Sequence, residues 1–585
     1  MKTVNLALIT TLGFGLAGLG CSSSTPAPSN GTAGTSAAQG GSTPGAGGSG
    51  TANSPGMGGN GNPGTAGASV GAGGNPVVGE GGAPGTAGSV GTAGAGGGAV
   101  AVAGTGNTAG GTSVPEPELV TSGKDDYWKV GTLIKGGTAA TVTVTTTGNG
   151  LAQAWEGFGG TFNEKGAQML MGLDAAKQGE IMKKLFDVKD GIGFTWGRIP
   201  IGPSDYAIER YNFQDSATAT FSIEHDKTAS ATSKAPLMPF IKAAIAVKAD
   251  IKFWGSAWTP PPWMKDNKAY DKGSMDKANL SAYADYLVNW IKAYEAEGIK
   301  INFIVPQNEP GWAQAYPSCA WGSYKDGGTA HYGTAYLGDF VKNNLSQKMT
   351  DAKLTTDIWY GTFSNDGAFP DYWANVPPKN LLKGVTLQWA TIAEVEKVVA
   401  AGYKVMQSEH QCGNYPWTGV DNGDGSYKST AGTTADTADA THFFLDYAPN
   451  NHLYGEESWS LIKSWIDKGV NSYSAWNMVL DKGGFNLDKV RPWPQNALIV
   501  VDGTTVKYTA AYYVFRHVAE FVDPGATVLK TTGGSALAFK NPDGTVVVTL
   551  YNSGAAAAMQ TLSIDGTMYQ VSVPSHGWAT VNKKG

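Results

Sequence analysis

Cysteine is nearly absent: the 585 residues hold three, Cys21, Cys319 and Cys412. That is too few for a disulfide scaffold, and their spacing forms neither a zinc site nor a redox motif. Charge is also sparse, with 15% Asp, Glu, Lys and Arg and a net charge of −6, so there is no basic field to hold nucleic acid. The apolar run within residues 2–20 is too short and too rich in glycine to span a membrane. From Ser22 to Val114 both charge and large apolar side chains vanish, Glu80 being the one ionisable group. Such a stretch cannot bury a core. Gly-Thr-Ala-Gly recurs there at 31, 64, 85 and 91 without a fixed period, which excludes a solenoid and collagen. As a flexible tether of roughly 90 residues it would span on the order of 50–60 Å.

The N-terminal run carries one lysine and ends on Cys21, and is read as a secretory signal similar to that of bacterial lipoproteins, although Gly18 stands where leucine is usual. Cys21 is then the lipidation site. The chain is expected to be exported and lipid-anchored at the cell surface or outer membrane, with plain secretion as the alternative. Glycine motifs in this region mislead. Gly67-Ala-Ser-Val-Gly71 fits a hydrolase nucleophile turn, but it sits between no strand and helix.

Chemistry enters at Ile301-Asn-Phe-Ile-Val-Pro-Gln-Asn-Glu-Pro-Gly-Trp312. Ile301 to Val305 reads as a short buried strand, and Pro306 and Pro310 forbid regular structure beyond it, so Glu309 is held at a strand mouth. A surface-loop glutamate is the plain alternative. One hundred residues on, Tyr403 to Gln407 is another short strand, which delivers Ser408-Glu409-His410 in the same relation to its end. Two carboxylates on one rim can sit about 5 Å apart, the separation a retaining glycosidase needs.

Short apolar segments recur at Phe194–Pro200, Ile251–Ser256, Thr356–Gly361, Gly384–Leu387 and Val470–Ala475, separated by helical patterns. The clearest helix, Ser281 to Glu297, has Tyr283, Leu287, Trp290, Ile291 and Tyr294 on one face and Gly298 at its end; another lies around Glu456 to Lys468. Eight strands, each followed by helix, predict an α/β fold, a (β/α)8 TIM barrel, with a doubly wound sheet as the rival. From about Tyr508 alternating segments with Asp543-Gly544 and Asp565-Gly566 turns predict an antiparallel β side domain, joined by strands near 127–146. The expected organisation is a signal at 1–21, a linker at 22–114, N-terminal strands of the side domain at 115–150, a catalytic barrel at 151–505 and the C-terminal side domain at 506–585.

Glu156-Gly-Phe-Gly-Gly160, Arg198-Ile-Pro-Ile, Ser256-Ala-Trp-Thr-Pro-Pro-Pro-Trp263, Gln307-Asn-Glu-Pro310, Met406-Gln-Ser-Glu409 and Trp476-Asn-Met478 arrive in one order. Together they resemble glycoside hydrolase family 30 over roughly 120–585. Gln388-Trp389-Ala390, Glu409-His-Gln-Cys-Gly413 and Trp476-Asn-Met-Val-Leu-Asp-Lys-Gly-Gly484 look most like its endo-β-1,6-glucanase branch, whereas glucosylceramidases typically carry His-Trp-Tyr at the first of these. The resemblance implies retaining hydrolysis with Glu309 as acid/base and Glu409 as nucleophile, and no cofactor or metal. It also implies that Arg198 supports the nucleophile, that Asn308 binds a sugar 2-hydroxyl, and that Asp205 and Trp258 hold the sugar next to the scissile bond. A barrel salt bridge for Arg198 and core packing for Trp258 are the plain alternatives.

Trp254, Trp263, Trp312, Trp321, Trp389, Trp417 and Trp476 follow predicted strand ends, and about half of them are expected to stack on sugar rings rather than pack. Trp389 and Trp476 are taken as substrate-binding. Cys319 and Cys412 follow rim strands in a context that permits a disulfide, with two free thiols as the alternative. Asn414 to Leu453 is longer than the usual loop there. Its Asp421-Asn-Gly-Asp-Gly425 lacks the glutamate of a calcium loop and reads as a polar turn. The partners expected are a polysaccharide or glycoside substrate and, through the lipid, a membrane.

Overall fold

The computed structural model describes residues 116–231, 233–326, 329–365, 367–412, 450–484 and 495–584. Cys21, the signal, the linker, Trp417 and the Asp421–Gly425 turn lie outside the described residues.

Eight parallel strands close into a barrel: β1 (Gly157–Thr161), β2 (Trp196–Pro200), β3 (Lys252–Ser256), β4 (Ile301–Val305), β5 (Asp357–Phe363), β6 (Gly384–Leu387), β7 (Lys404–Gln407) and β8 (Ser472–Asn477). Closure pairs β8 with β1, Tyr473 opposite Phe158. Near-continuous burial is what a parallel sheet covered on both faces requires, and β1, β2, β6 and β8 are buried at every residue. Glycine-rich β1 is a poor strand former by propensity, yet the packing demands it. A Cβ at Gly159 would lie 2.6 Å from the Trp196 carbonyl oxygen, and one at Gly160 would lie 2.5 Å from Met478 Sδ.

Inside the barrel Trp196, Trp254, Phe303, Val305, Trp359 and Met406 form a separate apolar cluster. The Trp254 and Phe303 rings stack at 5.1 Å, and Phe303 and Trp359 at 4.6 Å. Because side chains two apart on a strand share a face, Arg198 stands one layer above Trp196, on top of this plug. The barrel is thus a packed core with its polar groups gathered at the C-terminal ends of the strands.

The helix Leu280–Ala296 buries the face the periodicity predicts, including Tyr283, Leu287, Trp290, Ile291 and Tyr294, and Gly298 ends it at φ 82°. It starts one residue earlier than Ser281, after Asn279. His452–Asp467 starts a turn before Glu456, because Asn451 caps it by accepting from the Tyr454 amide. Ala510–Ala519, in the stretch where the pattern from Tyr508 suggested strands, is a helix, with Thr509 as its cap.

Besides a hairpin at 324–331 and a three-stranded sheet of 479–481, 499–502 and 505–508, the other described strands build two facing sheets. One has the order 126–131, 119–123, 577–583, 546–552, 535–540, 527–529, 150–154; the other has the order 531–532, 142–144, 558–564, 567–573, 134–135. N-terminal strands are therefore interleaved with C-terminal ones: Leu119–Ser122 pairs antiparallel with Trp578–Val581. Leu119, Val142, Val144, Val548, Leu550, Leu562 and Val571 form part of the apolar core of this side domain.

Candidate active site

Arg198 organises the polar layer. Its guanidinium is fully buried, and Nε donates to Ser256 Oγ at 3.0 Å, Nη1 to Glu409 Oε2 at 2.5 Å and Nη2 to Asn308 Oδ1 at 2.6 Å. It lies 4.3 Å from the Trp258 ring centroid, 5.0 Å from that of Trp254 and 5.5 Å from that of Trp476. Burial lowers its pKa from the usual value while the charges of Glu409, Glu309 and Asp205 oppose that, and a guanidinium stays cationic in either case. A buried carboxylate without such a partner would be several kcal/mol worse off. Glu409, 6% exposed, is compensated by this cation and by the Trp389 indole, whose Nε1 donates to Oε1 at 2.9 Å.

Glu309 is placed differently. Its backbone sits at φ 48° and Trp389's at φ 51°, both in the left-handed region that costs a non-glycine residue of order 1–3 kcal/mol. The Glu309 amide donates to the Thr362 carbonyl at 3.0 Å. Its carboxylate accepts from Tyr316 Oη at 2.9 Å and Gln388 Nε2 at 3.3 Å, and the Ser364 hydroxyl donates as well. Burial first, and then the negative charge of Glu409, push this carboxyl up to about 7 against the pull of those donors. Gln388 and Trp389 are neighbours in sequence and touch one carboxylate each, which brings the two acids to the same part of the rim.

Asn308 Oδ1 accepts from Arg198 and also from Thr362 Oγ1 at 2.6 Å, so the amide is oriented and its Nδ2 turned away from both. The structure therefore brings together Arg198, Asn308, Glu309, Trp389 and Glu409. Trp258 and Trp476 stack on each other at 5.3 Å and are 2% and 1% exposed, a wall around the guanidinium. Asp205, half-buried in the loop after β2, acts electrostatically on Arg198. Of the other tryptophans, Trp254 belongs to the barrel plug and buried Trp321 donates to Gln307 Oε1 at 3.0 Å, so both pack, while Trp263 and Trp312 are half-buried. Tyr316, Ser364, Thr362 and the side-chain role of Gln388 were not foreseen. Thr362 lies at the end of β5 and the others on the loops beyond strand ends, whose direction no periodicity encodes.

The disulfide is not formed: Cys319 and Cys412 are both buried free thiols. They follow β4 and β7, and β5 and β6 lie between these in the barrel. Cys319 Sγ instead donates to the Ala320 carbonyl at 3.8 Å. Among the described residues no group of three His, Cys, Asp or Glu side chains could hold a metal ion, and no helix is long and apolar enough to cross a membrane.

A closed barrel with two carboxylates at its C-terminal rim, one against a buried arginine and one held protonated toward neutral pH, is the arrangement of an O-glycosyl hydrolase. The model of the glycosyl hydrolase family 30 TIM-barrel domain matches residues 155–358, and that of the family 30 beta sandwich domain matches residues 525–581. Over both of these stretches the chain matches glycosyl hydrolase family 30. It is similar to putative glucosylceramidase 4 of Caenorhabditis elegans, with 24% identity over 446 residues, 72% of this chain and 77% of that protein. It is equally similar to endo-1,6-beta-D-glucanase BGN16.3 of Trichoderma harzianum, with 24% identity over 438 residues, 70% and 79% of the two chains. The solved endo-beta1,6-glucanase BT3312 superposes with a TM-score of 0.62 at 21% identity, covering 80% of this chain and 99% of that one.

Proposed function

We propose that the chain is a retaining β-glycosidase that cleaves β-1,6-linked glucan within the polymer. The observation that carries the mechanism is the unequal setting of two carboxylates. Glu409 faces a buried, immobile cation and is ready to attack an anomeric carbon; Glu309 keeps its proton toward neutral pH and is ready to give it to the leaving oxygen. Once Glu409 is bound as an ester its charge is gone, the electrostatic push on Glu309 falls, and Glu309 can take a proton from the attacking water. Asn308 Nδ2 is available to a sugar hydroxyl, and Asp205 and Trp389 are assigned to binding the same sugar. The similarity to endo-1,6-beta-glucanases and the Gln388-Trp389-Ala390 sequence support a β-1,6-glucan. The equal similarity to glucosylceramidases makes a glucosylceramide-like glycoside the second reading. We place the protein outside the cell, held by lipid on Cys21.

The test is incubation of the purified protein with linear β-1,6-glucan and, in parallel, xylan, β-1,3-glucan and glucosylceramide, with the anomer of the first product read by NMR. Short β-1,6 oligomers with retained configuration are expected from the glucan alone. Glu309→Gln and Glu409→Gln should each lose several orders of magnitude in turnover. Near-full activity in either variant would overturn the site, and turnover of another glycoside alone would overturn the substrate.

A further inference from the structure

Gln388 is fully buried at the end of a strand lying between those that carry the two acids, and its amide reaches Glu309 on one side and Ser408, the neighbour of Glu409, on the other. Nε2 donates to Glu309 Oε1 at 3.3 Å, and Oε1 accepts from Ser408 Oγ at 2.8 Å. Ser408, the residue before Glu409, is itself pinned, its backbone amide donating to the Leu387 carbonyl at 2.9 Å. The Gln388 backbone is fixed as well, donating to the Phe363 carbonyl at 2.8 Å and to Thr391 Oγ1 at 3.1 Å. The amide could reverse only if Ser408 accepted from Nε2 and donated instead to the Leu387 carbonyl, a longer contact at 3.3 Å.

We propose that Gln388, oriented by Ser408, is a positioning residue that makes Glu309 Oε1 the oxygen without a proton, so that Oε2 gives and takes the proton in catalysis. The physical reason is the donor inventory. An amide NH2 can only donate, so a protonated Oε1 facing it would set two donors against each other. The partner on Oε2, the Tyr316 hydroxyl, can turn from donor to acceptor when that oxygen is protonated. An amide also carries no charge of its own. The charged groups acting on this part of the site are Glu409, Arg198 and Asp205, with Tyr316 the other titratable neighbour. The donation stabilises the ionised carboxylate more than the neutral one, so Gln388 also lowers the pH at which Glu309 gives up its proton.

The inference rests on Glu309 being the acid/base, and its test has a readout independent of turnover. The Glu309 carboxyl band, identified by its loss in Glu309→Gln, is followed by infrared difference spectroscopy from pH 4 to 9 in the full-length protein, in Gln388→Met and in Ser408→Ala. Gln388→Met should raise the midpoint by about one pH unit, and the alkaline limb of kcat/KM should move with it. Ser408→Ala should move both in the same direction by less, because the amide loses what orients it. A side chain that merely fills space would leave the midpoint unmoved. An unchanged midpoint in Gln388→Met overturns the proposal, and if that variant fails to fold, an unchanged midpoint in Ser408→Ala does so. Were the wild type inactive on every glycan, the proposed function would fall while the infrared midpoint still decided the role of Gln388.

Discussion

Replacing Glu309 by glutamine should stabilise the protein at alkaline pH. In the folded state burial and the charge of Glu409 raise this carboxyl from an ordinary 4.5 to about 7; the unfolded chain lacks both. Between those values the folded protein holds a proton that the unfolded chain has released. Stability therefore falls as pH rises through this window, by about 1.4 kcal/mol per unit, and the loss is complete above the folded value. Across pH 4 to 8 it amounts to about 3 kcal/mol. Glu309→Gln abolishes that dependence. The variant also disturbs the bonds from Tyr316 and Gln388, but in a way that does not change with pH, so the informative quantity is the difference between the two pH values. Urea denaturation of both proteins at pH 4 and pH 8 should show the variant gaining about 3 kcal/mol on the wild type between them. In thermal unfolding this is a relative gain of about 3 °C for an ordered chain of this size. Parallel pH dependence in the two proteins would refute the claim that the site holds Glu309 protonated, and with it the basis for its role as an acid.

Two further outcomes can be checked without substrate. His517 is buried, paired with Thr580 Oγ1 and Ser122 Oγ at 2.8 Å each, and pushed down to about 3 by burial and by Arg516. Below pH 6.5 the unfolded chain takes up a proton that the folded histidine refuses, so stability present above 6.5 is lost as pH falls. His517→Gln should flatten the stability–pH slope between pH 6 and 4 by about 1.4 kcal/mol per unit, and an unaltered slope would count against the burial argument. Thiol titration should find Cys319 and Cys412 unreactive in the native protein and both titratable after denaturation without reductant. A disulfide-linked peptide containing both would contradict the two free thiols.

Much of the barrel was legible because its strands are short, fully buried and punctuated. Ile301–Val305 and Gly384–Leu387 were read with the bounds the structure shows, and the other barrel strands to within about two residues. A parallel sheet covered on both faces writes itself as apolar runs, and Pro306 and Pro310 mark where the run must stop. The helix at Ala510–Ala519 was less visible: its aromatic and β-branched residues, Tyr512, Tyr513, Val514 and Phe515, suit a strand by propensity, and packing against the barrel decides otherwise.

The sequence alone determined where the two carboxylates emerge, because a residue that follows a buried strand of a barrel can only lie on its rim. Local chemistry, an apolar run and a proline, carries that information. Which groups meet at the rim was decided by the tertiary structure. Arg198 reaches partners 110 and 211 residues away, Gln388 joins Glu309 to Ser408 across two other strand ends, and Cys319 and Cys412 are parted by two strands that no spacing reveals. Glu309 and Trp389 occupy left-handed backbone that neither would choose locally. Such contacts depend on barrel closure, which sums the twist and stagger of eight strands, and on loops that take their direction from what they pack against.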